Sequence, residues 1–457
     1  MAKTEKTKKR RNLWNFVDAF EGDKVVWMIV ILLIMISLVT IFSSTSLLAN
    51  VQKTDRLSIL KEQSIIALLG VGLIVLCYQI RSVRFFRSLS KWGFAFSLLL
   101  LLLLAAHRQI IPMIKPIRIN DAWRMLSVFG FQIHVFEVVK VLMVLYLSWA
   151  VDAYRADEFT LGKKIAKTRH LEWVGTPGGL RFVYIYLPIL LVCGLILMGS
   201  VSSALFIGAI LFVTILIGGM SLRDVAIPGI FAVAVIIGAV AVNKISDGKI
   251  FNRLDTAASR LTSSDERYEE IFLNRDGSWS RTDRDYARDK LKQPYSAKLA
   301  IREGGIFGKG PGQSTQRYVV SIMYSDYMYS FILEEYGLIG GIFIIILFAS
   351  LLARGARISN WLNNYYAKTA VAGLVILIVG QAFMHMAINL DLVPRTGQTL
   401  PMISHGNSSF LAFSIAFGII LSFSREARRN RADRERAEQE AREEGEASET
   451  VTEEVSQ

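Results

Sequence analysis

Long apolar runs recur along this 457-residue chain, and they are too apolar for the surface of a soluble protein. Each run has about 17 to 25 residues, the length that an α-helix needs to cross a hydrocarbon layer of about 30 Å. Because backbone polar groups in lipid need internal hydrogen bonds, the runs predict helices. The prediction is an all-α polytopic membrane protein with ten transmembrane helices, which begin near Val25, Ser64, Trp92, Val135, Phe182, Ser202, Val225, Met328, Thr369 and Ser404.

Basic residues set the predicted orientation. The net charge is +13, but the basic side chains gather at the termini and in short connections, so nucleic-acid binding is not expected. The positive-inside rule places both termini in the cytoplasm together with three basic connections, after spans two, four and eight. These contain Arg81, Arg84, Arg87 and Lys91; Lys163, Lys164, Lys167 and Arg169; and Arg354 and Arg357. The connection after span three is also basic and is an exception to the rule.

The chain divides into three predicted parts. Residues 1–24 form a basic cytoplasmic tail with an interfacial helix, residues 25–424 form the membrane domain, and residues 425–457 form a charged cytoplasmic tail that is partly disordered. Cys77 and Cys193 both lie inside apolar runs, so neither a disulfide framework nor a thiolate metal site is predicted.

One long connection, residues 243–327 between spans seven and eight, is predicted to be a large extracytoplasmic loop. Loops of this length are usually either functional or disordered. Its aromatic residues favour partial order, because a disordered linker usually has fewer of them. We expect short helices near Asp265–Phe272 and Asp283–Leu291.

Asp326 is the first candidate for chemistry, because it is a single carboxylate at the mouth of the span that begins near Met328. A carboxylate at the edge of the hydrocarbon is costly unless it faces a cavity or a partner. Partial desolvation would raise its pKa towards the range of a general base at neutral pH. The alternative is a helix N-cap or first-turn acid, which the helix dipole also favours.

Four further charged residues inside apolar runs have two interpretations each. Glu334 and Glu335 lie more than two helical turns beyond Asp326, where a carboxylate must be paired or face water, and a structural ion pair is favoured over catalysis. Glu137 and Lys140 stand three residues apart on one helical face, which is typical of a buried salt bridge. A lysine that lines an outward cavity could instead bind a diphosphate.

Two loops are rich in glycine and small polar residues. The loop from Gly304 to Gly312 lacks the spacing of a Walker phosphate cradle, and its glycines favour a tight turn where backbones pack closely. The last loop, residues 394–401, runs into a small polar segment that begins at Ser404. It favours either irregular backbone that lines a cavity or a tight turn followed by a small-residue helix contact.

Together these segments resemble the SEDS family, the shape, elongation, division and sporulation proteins that include FtsW and RodA. The resemblance runs from the first span to about Ser424, and the order and spacing of its motifs are more specific than any single one. Three stretches carry it: Gly304-Gly305-Ile306-Phe307-Gly308-Lys309-Gly310 with Gly312 and Ser314; Ser325-Asp326-Tyr327 with Glu334-Glu335-Tyr336-Gly337-Leu338-Ile339-Gly340; and Pro394, Thr396-Gly397, Leu400-Pro401, Ser404, Gly406 and Ser408-Ser409. Weaker motifs match at Ala122, Arg124, Glu137 and Lys140.

The resemblance implies a ten-span enzyme that polymerises lipid II, an undecaprenyl-diphosphate-linked disaccharide peptide, outside the bacterial cytoplasmic membrane. Asp326 falls on the family's catalytic aspartate, a general base for the 4-hydroxyl of the acceptor sugar. The configuration at the anomeric carbon of the donor sugar would be inverted. The glycine loop would then be the wall of a lipid-substrate groove. Candidates for binding the diphosphate, with or without a divalent cation such as Mg²⁺ or Mn²⁺, are Lys140, Arg124 and Lys309. Residues that would support the site are Glu137, Glu334, Glu335, Gly305, Gly308, Gly310, Thr396, Gly397, Pro401, Ser404, Ser408 and Ser409.

The resemblance also implies a multi-pass protein of the inner membrane at the division septum. Its implied partners are a class B penicillin-binding protein, other divisome proteins and membrane lipid. Thr399-Leu400-Pro401 and the long charged C-terminal tail favour the division type over the elongation type. The sequence departs from the family at His134-Val135-Phe136, which replaces Gln-Pro-Ser, and at His385, which replaces the usual Asn.

Two hypotheses compete with a polymerase. One is a transporter that moves lipid II or another lipid-linked sugar across the bilayer, for which ionisable residues near the midplane and repeat symmetry are expected. The other is a scaffold without activity, in which Asp326 only caps span eight.

Overall fold

A computed structural model describes residues 21–106, 114–119, 122–168, 171–226, 229, 264–273, 280–320, 323–394 and 396–455. The predicted interfacial helix, most of the predicted seventh span and much of the long loop lie outside these residues.

Helices account for most of the described chain. Before the long loop they are α1 (Lys24–Ser44), α2 (Ser46–Gln52), α3 (Arg56–Gln79), α4 (Val83–Ser90), α5 (Gly93–Ala105), α6 (Val135–Arg155), α7 (Thr160–Ile165), α8 (Pro177–Arg181), α9 (Leu187–Gly199) and α10 (Val201–Ile217). After them come α11 (Ser264–Leu273), α12 (Arg281–Gly304), α13 (Met328–Trp361), α14 (Tyr365–Asn389) and α15 (Asn407–Val455). Short 3₁₀ turns cover Glu172–Gly175 and Gln316–Tyr318, and a π-helical turn, Phe182–Tyr186, joins α8 to α9. α11 and α12 contain the two segments of the long loop for which the sequence predicted short helices.

Within the described residues, six helical segments are long and apolar enough to cross a membrane, and one of them is the continuous run Pro177–Gly199 formed by α8, the π-helical turn and α9. The number is seven if α4 and α5, which meet at a bend of 42°, form one span. α6 is not among them because four charged residues interrupt its apolar character, namely Glu137, Lys140, Asp152 and Arg155. α10 is not among them because it has only 17 residues. The protein is therefore a mostly helical polytopic membrane protein.

The prediction of an all-α fold is wrong for the connection between α5 and α6. Strands β1 (Ile114–Ile119), β2 (Ala122–Val128) and β3 (Phe131–His134) form an antiparallel sheet in the order β1-β2-β3. Phe129 and Gly130 join β2 to β3 with positive φ angles of 51° and 86°, which is the backbone of a tight hairpin turn. The strands have only 6, 7 and 4 residues, which is too short to resemble a membrane span.

α14 lies at the centre of the bundle, packed against α13, α6, α10 and α15. In its most apolar stretch 67% of the residues are buried, against 33% for α3, and among the candidate spans only α15, with 78%, has a larger buried share. Polar side chains on α14 therefore face other helices instead of lipid. This placement allows one helix to hold several parts of the candidate site.

α13 is broken at Gly337, whose φ of 65° and ψ of −168° are not helical. The backbone of residues 304–312, the glycine loop, replaces the missing helical hydrogen bonds. The N–H groups of Lys309 and Gly310 donate to carbonyl groups of the turn before the break, both at 2.9 Å. The turn after the break donates back to the loop at 2.9 and 3.3 Å. The glycine loop therefore satisfies polar groups that a broken helix would otherwise leave without partners.

Gly308→Ala is expected to destabilise the protein more than Gly312→Ala. Both glycines have a positive φ, 81° and 78°, which costs an alanine about 1–2 kcal/mol. A Cβ on Gly308 would also lie 2.3 Å from the carbonyl oxygen of Glu335, whereas a Cβ on Gly312 has no neighbour within 4 Å. The extra steric cost is about 1–3 kcal/mol. Thermal unfolding midpoints in detergent test the difference, and equal midpoints would contradict the close approach of loop and helix.

Candidate active site

Asp326 lies in the segment that leads into α13, and it remains partly exposed to solvent. Its Oδ1 accepts a hydrogen bond from the Ser325 hydroxyl at 3.0 Å. Its Oδ2 is 3.4 Å from the position that a Cβ on Gly397 would occupy. Tyr327 is the N-cap residue of α13, so the N-cap alternative for Asp326 does not fit the structure. The carboxylate instead stays partly exposed beside the loop that contains Gly397.

Burial raises the pKa of Asp326 above its ordinary value. The hydrogen bond from Ser325 and the positive charge of Arg124 oppose this effect without cancelling it. Burial disfavours the charged form of a carboxyl group, and a raised pKa makes the carboxylate a stronger base. The raised pKa brings Asp326 closer to the range in which a general base works near neutral pH.

The loop before α15 holds the Asp326 segment in place. The Ser404 hydroxyl donates to the carbonyl of Ser325 at 2.8 Å, and the N–H of His405 donates to the carbonyl of Tyr324 at 2.9 Å. Ser404 in turn accepts from the N–H of Leu400 at 2.9 Å. The predicted supporting residues Thr396, Gly397, Pro401 and Ser404 thus belong to a loop that bonds directly to the residues beside Asp326.

Ser408 and Ser409 tie the start of α15 to its surroundings. The Ser408 hydroxyl accepts from the N–H of His134 at 2.8 Å, which joins the sheet to α15. The Ser409 hydroxyl lies 3.1 Å from that of Thr399 in the preceding loop. The sheet and the last loop are therefore connected around one helix end.

Two side chains of α14 cap the start of α13. The N–H of Tyr329 donates to Nε2 of His385 at 3.3 Å, and the N–H of Ser330 donates to Oδ1 of Asn389 at 3.0 Å. Asn389 Nδ2 also donates to the carbonyl of Asp326 at 3.0 Å. The first N–H groups of a helix have no partner within it, so this cap from a neighbouring helix fixes the position of Asp326.

His385→Gln is expected to retain most activity, and His385→Phe is expected to lower kcat about 10–100-fold with little change in KM. Nδ1 of His385 lies 2.7 Å from the carbonyl of Gln398, so it carries the hydrogen and Nε2 is free to accept. Glutamine keeps an acceptor near Nε2, whereas phenylalanine leaves the N–H of Tyr329 buried without a partner. Kinetics of the two variants test this. An equal loss of kcat in both would refute the capping role.

Lys140 is buried in a polar cluster between helices, with 1% of the residue exposed. Its ammonium group donates to Oε1 of Glu137 at 2.8 Å, to Oε1 of Gln381 at 2.7 Å and to Oε1 of Gln398 at 2.9 Å. All three ammonium hydrogens therefore have protein acceptors. The geometry matches the buried salt bridge. A diphosphate-binding role for Lys140 stays a prediction. In that role a diphosphate oxygen would have to replace one of the three protein acceptors.

Lys309 connects the glycine loop to α13. Its ammonium group is hydrogen-bonded to Glu303, to the Thr315 hydroxyl at 2.7 Å and to Oε1 of Glu334 at 2.9 Å. Glu334 is fully buried, so Lys309 neutralises a charge that would otherwise be costly. Binding of a diphosphate by Lys309 stays a prediction.

Glu335 is also fully buried and connects α13 to α1. Its Oε1 accepts from the Ser43 hydroxyl at 2.6 Å and lies 3.8 Å from Nη1 of Arg317. Arg317 itself donates to the carbonyl of Ser43 at 3.3 Å. These contacts give Glu335 a basic partner, as the ion-pair interpretation expected for both glutamates.

Arg124 lies on β2, and its positive charge acts on Asp326. Of the three predicted diphosphate ligands, it is the one whose charge lowers the pKa of that carboxyl group. Among the described residues, no group of three or more His, Cys, Asp or Glu side chains could hold a metal ion. The predicted divalent cation therefore stays a prediction.

The spacing of three polar residues on α14 could have predicted their common position from the sequence. Gln381, His385 and Asn389 are spaced four apart in an apolar run, which places them on one helical face. None of the three was predicted as a site residue, and His385 was given only as a departure from the family. Ser43 and Arg317 gave no such signal, because their contacts depend on tertiary structure.

The fold and the site define a polytopic helical membrane protein with a partly exposed carboxylate, Asp326, just before the start of α13. The family model described as "Cell cycle protein", for FtsW, RodA and SpoVE, matches residues 23–429. The chain therefore belongs to the FtsW/RodA/SpoVE family.

Individual relatives support the membership. A protein of Enterococcus hirae named "Probable peptidoglycan glycosyltransferase FtsW" is 26% identical over 416 residues, which is 89% of this chain and 93% of that protein. A Caulobacter vibrioides protein of the same name is 42% identical over 129 residues, 28% of this chain and 33% of that protein. A chain from a solved structure titled "Structural coordination of polymerization and crosslinking by a peptidoglycan synthase complex" has the same fold. Its TM-score is 0.61, with 22% identity over 89% of this chain and 98% of that chain.

Proposed function

We propose that this protein is a division-type peptidoglycan glycosyltransferase that polymerises lipid II on the outer face of the cytoplasmic membrane. The observation that carries the proposal is Asp326, a partly exposed carboxylate with a raised pKa, whose segment is held by two separate elements, α14 and the loop before α15. Family membership and the names of the relatives support the reaction and the division type.

In the proposed reaction, Asp326 accepts the proton of the acceptor sugar's 4-hydroxyl. The oxygen then attacks the anomeric carbon of the donor, and the bond to the polyprenyl diphosphate breaks with inversion. The electron pair of that bond leaves on the diphosphate. Arg124, Lys140 and Lys309 are the predicted ligands for this charge, and Arg124 is the one whose positive charge acts on Asp326.

The proposal includes ten spans, both termini in the cytoplasm and a place at the division septum. The solved complex to which the fold is similar couples polymerisation to crosslinking. A class B penicillin-binding protein is the corresponding partner proposed for this chain. The basic connections identified in the sequence support the orientation.

The test is polymerisation of purified lipid II by the reconstituted protein and by Asp326→Ala. We expect glycan strands from the wild type and none from the variant, with equal amounts of folded protein by size-exclusion chromatography. Strands from both proteins would exclude Asp326 as the base. Translocation of lipid II in proteoliposomes without polymerisation would favour a transporter instead.

A further inference from the structure

A cavity of about 380 Å³ lies at the end of the bundle away from Asp326. It forms where the start of α1 meets the last turns of α13 and the middle of α15. Arg354, on its wall, lies 16 residues beyond Leu338 in the part of α13 that follows the break, which is roughly 24 Å by helical rise, and Asp326 precedes the start of the helix. The cavity is therefore separate from the candidate active site, although its volume is within the range of ligand pockets.

The walls of the cavity are strongly basic. One acidic residue, Asp23, lines it together with five basic residues, which are Lys24, Arg354, Arg357, Arg428 and Arg431. Asp23 is already engaged, because its Oδ2 accepts from Nε of Arg354 at 2.8 Å and its Oδ1 caps α1. Asp23 can therefore neutralise little of the remaining positive charge.

Two of the arginines that line the cavity have no acidic partner among the described residues. Arg431 is paired with Glu435 at 2.7 Å, but Arg357 and Arg428 have no ion pair or hydrogen bond with any residue that the structure describes. Both side chains are exposed and line the same cavity from different helices. Their joint field attracts an anion, and the guanidinium fork matches the oxygens of a phosphate group.

The level of the cavity along the membrane-spanning helices indicates the source of such a phosphate. Lys24 begins α1, which is one of the most apolar helices, and Trp361 ends α13. Lysine and tryptophan at the ends of apolar helices are typical of the level of lipid headgroups. Basic pockets between helices at this level bind anionic headgroups. We infer that this cavity binds the phosphate of an anionic phospholipid and thereby joins α1, α13 and α15.

Thermal stability of the full-length protein tests the inference, because a ligand that binds only the folded state stabilises it. The protein is stripped of lipid in a neutral detergent and heated with phosphatidylglycerol, with phosphatidylcholine or with inorganic phosphate. Phosphatidylglycerol is expected to raise the unfolding midpoint by roughly 2–4 °C. The other two additions are expected to leave it unchanged.

The double variant Arg357→Gln/Arg428→Gln is expected to lose most of this shift. The control Arg288→Gln/Arg302→Gln also removes two positive charges, from exposed positions of α12. This control is expected to keep the full shift of the unfolding midpoint. If the double variant does not fold, the single variants Arg357→Gln and Arg428→Gln replace it. Each single variant is expected to lose part of the shift. Native mass spectrometry counts bound phosphatidylglycerol in each protein.

Three results would overturn the inference. The first is an equal shift with phosphatidylglycerol in the wild type and in the variants. The second is a shift with inorganic phosphate but not with phosphatidylglycerol, which would indicate a site for a free anion. The third is no shift with either. None of these results bears on lipid II polymerisation, because the cavity lies away from Asp326.

Discussion

Asp326→Asn is expected to lower the rate of lipid II polymerisation by about 10²–10⁴-fold, the usual contribution of a general base. Asparagine has almost the same shape as aspartate, and its Oδ1 can still accept the hydrogen bond that Ser325 donates at 3.0 Å. The variant therefore removes the base without removing the local contact. Initial rates with purified lipid II measure the effect.

The same substitution is expected to leave the protein at least as stable as the wild type at neutral pH. Because burial raises the pKa of Asp326, the folded state binds its proton more tightly than the unfolded chain does. Stability is therefore lost as the pH rises through the raised pKa, and asparagine does not carry this cost. Slower polymerisation with an unchanged or higher unfolding midpoint is the signature of a catalytic group.

The pH dependence gives an independent check on Asp326. The base must be ionised, so the wild-type rate is expected to fall as the pH drops below the raised pKa. This acidic limb is expected to disappear from the residual activity of Asp326→Asn. Asp391→Asn is a matched control, because Asp391 is exposed, pairs with Lys298 and has a φ of 60° that asparagine tolerates. An equal loss of rate in the control would show that the effect is not specific to Asp326.

Lys140→Met is expected to destabilise the protein by about 3–5 kcal/mol, because it leaves the carboxylate of Glu137 buried without its partner. The double variant Glu137→Gln/Lys140→Met removes both charges and is expected to recover most of that loss. Lys298→Met is the control, since its ion pair with Asp391 is exposed and contributes at most about 1 kcal/mol. Unfolding midpoints in detergent compare the variants.

Activity of the double variant separates the two interpretations of Lys140. If the lysine is structural, as its three protein acceptors indicate, polymerisation returns together with stability. If it binds the diphosphate, the double variant is stable but its KM for lipid II rises. A double variant no more stable than Lys140→Met would contradict the buried ion pair itself.

Much of the membrane fold could be predicted from the sequence because hydropathy is a local property. The apolar run near Met328 predicted a span, and α13 begins at that residue. The sheet was missed because β1 to β3 are short strands whose pairing joins residues up to 14 positions apart. The break at Gly337 was missed as well, because a glycine inside an apolar run usually continues a helix.

For the candidate site, the sequence by itself determined the class of protein, and it predicted the exposed end of span eight as the place for chemistry and Asp326 as the carboxylate. Only the tertiary structure decided what surrounds them. Lys140 bonds to residues 241 and 258 positions away, and Asn389 reaches Asp326 across 63 positions. Apolar character is set by each segment alone, whereas a buried polar group takes its partner from whichever helix packs against it. The helix packing around α14 therefore decided which polar residues hold Asp326.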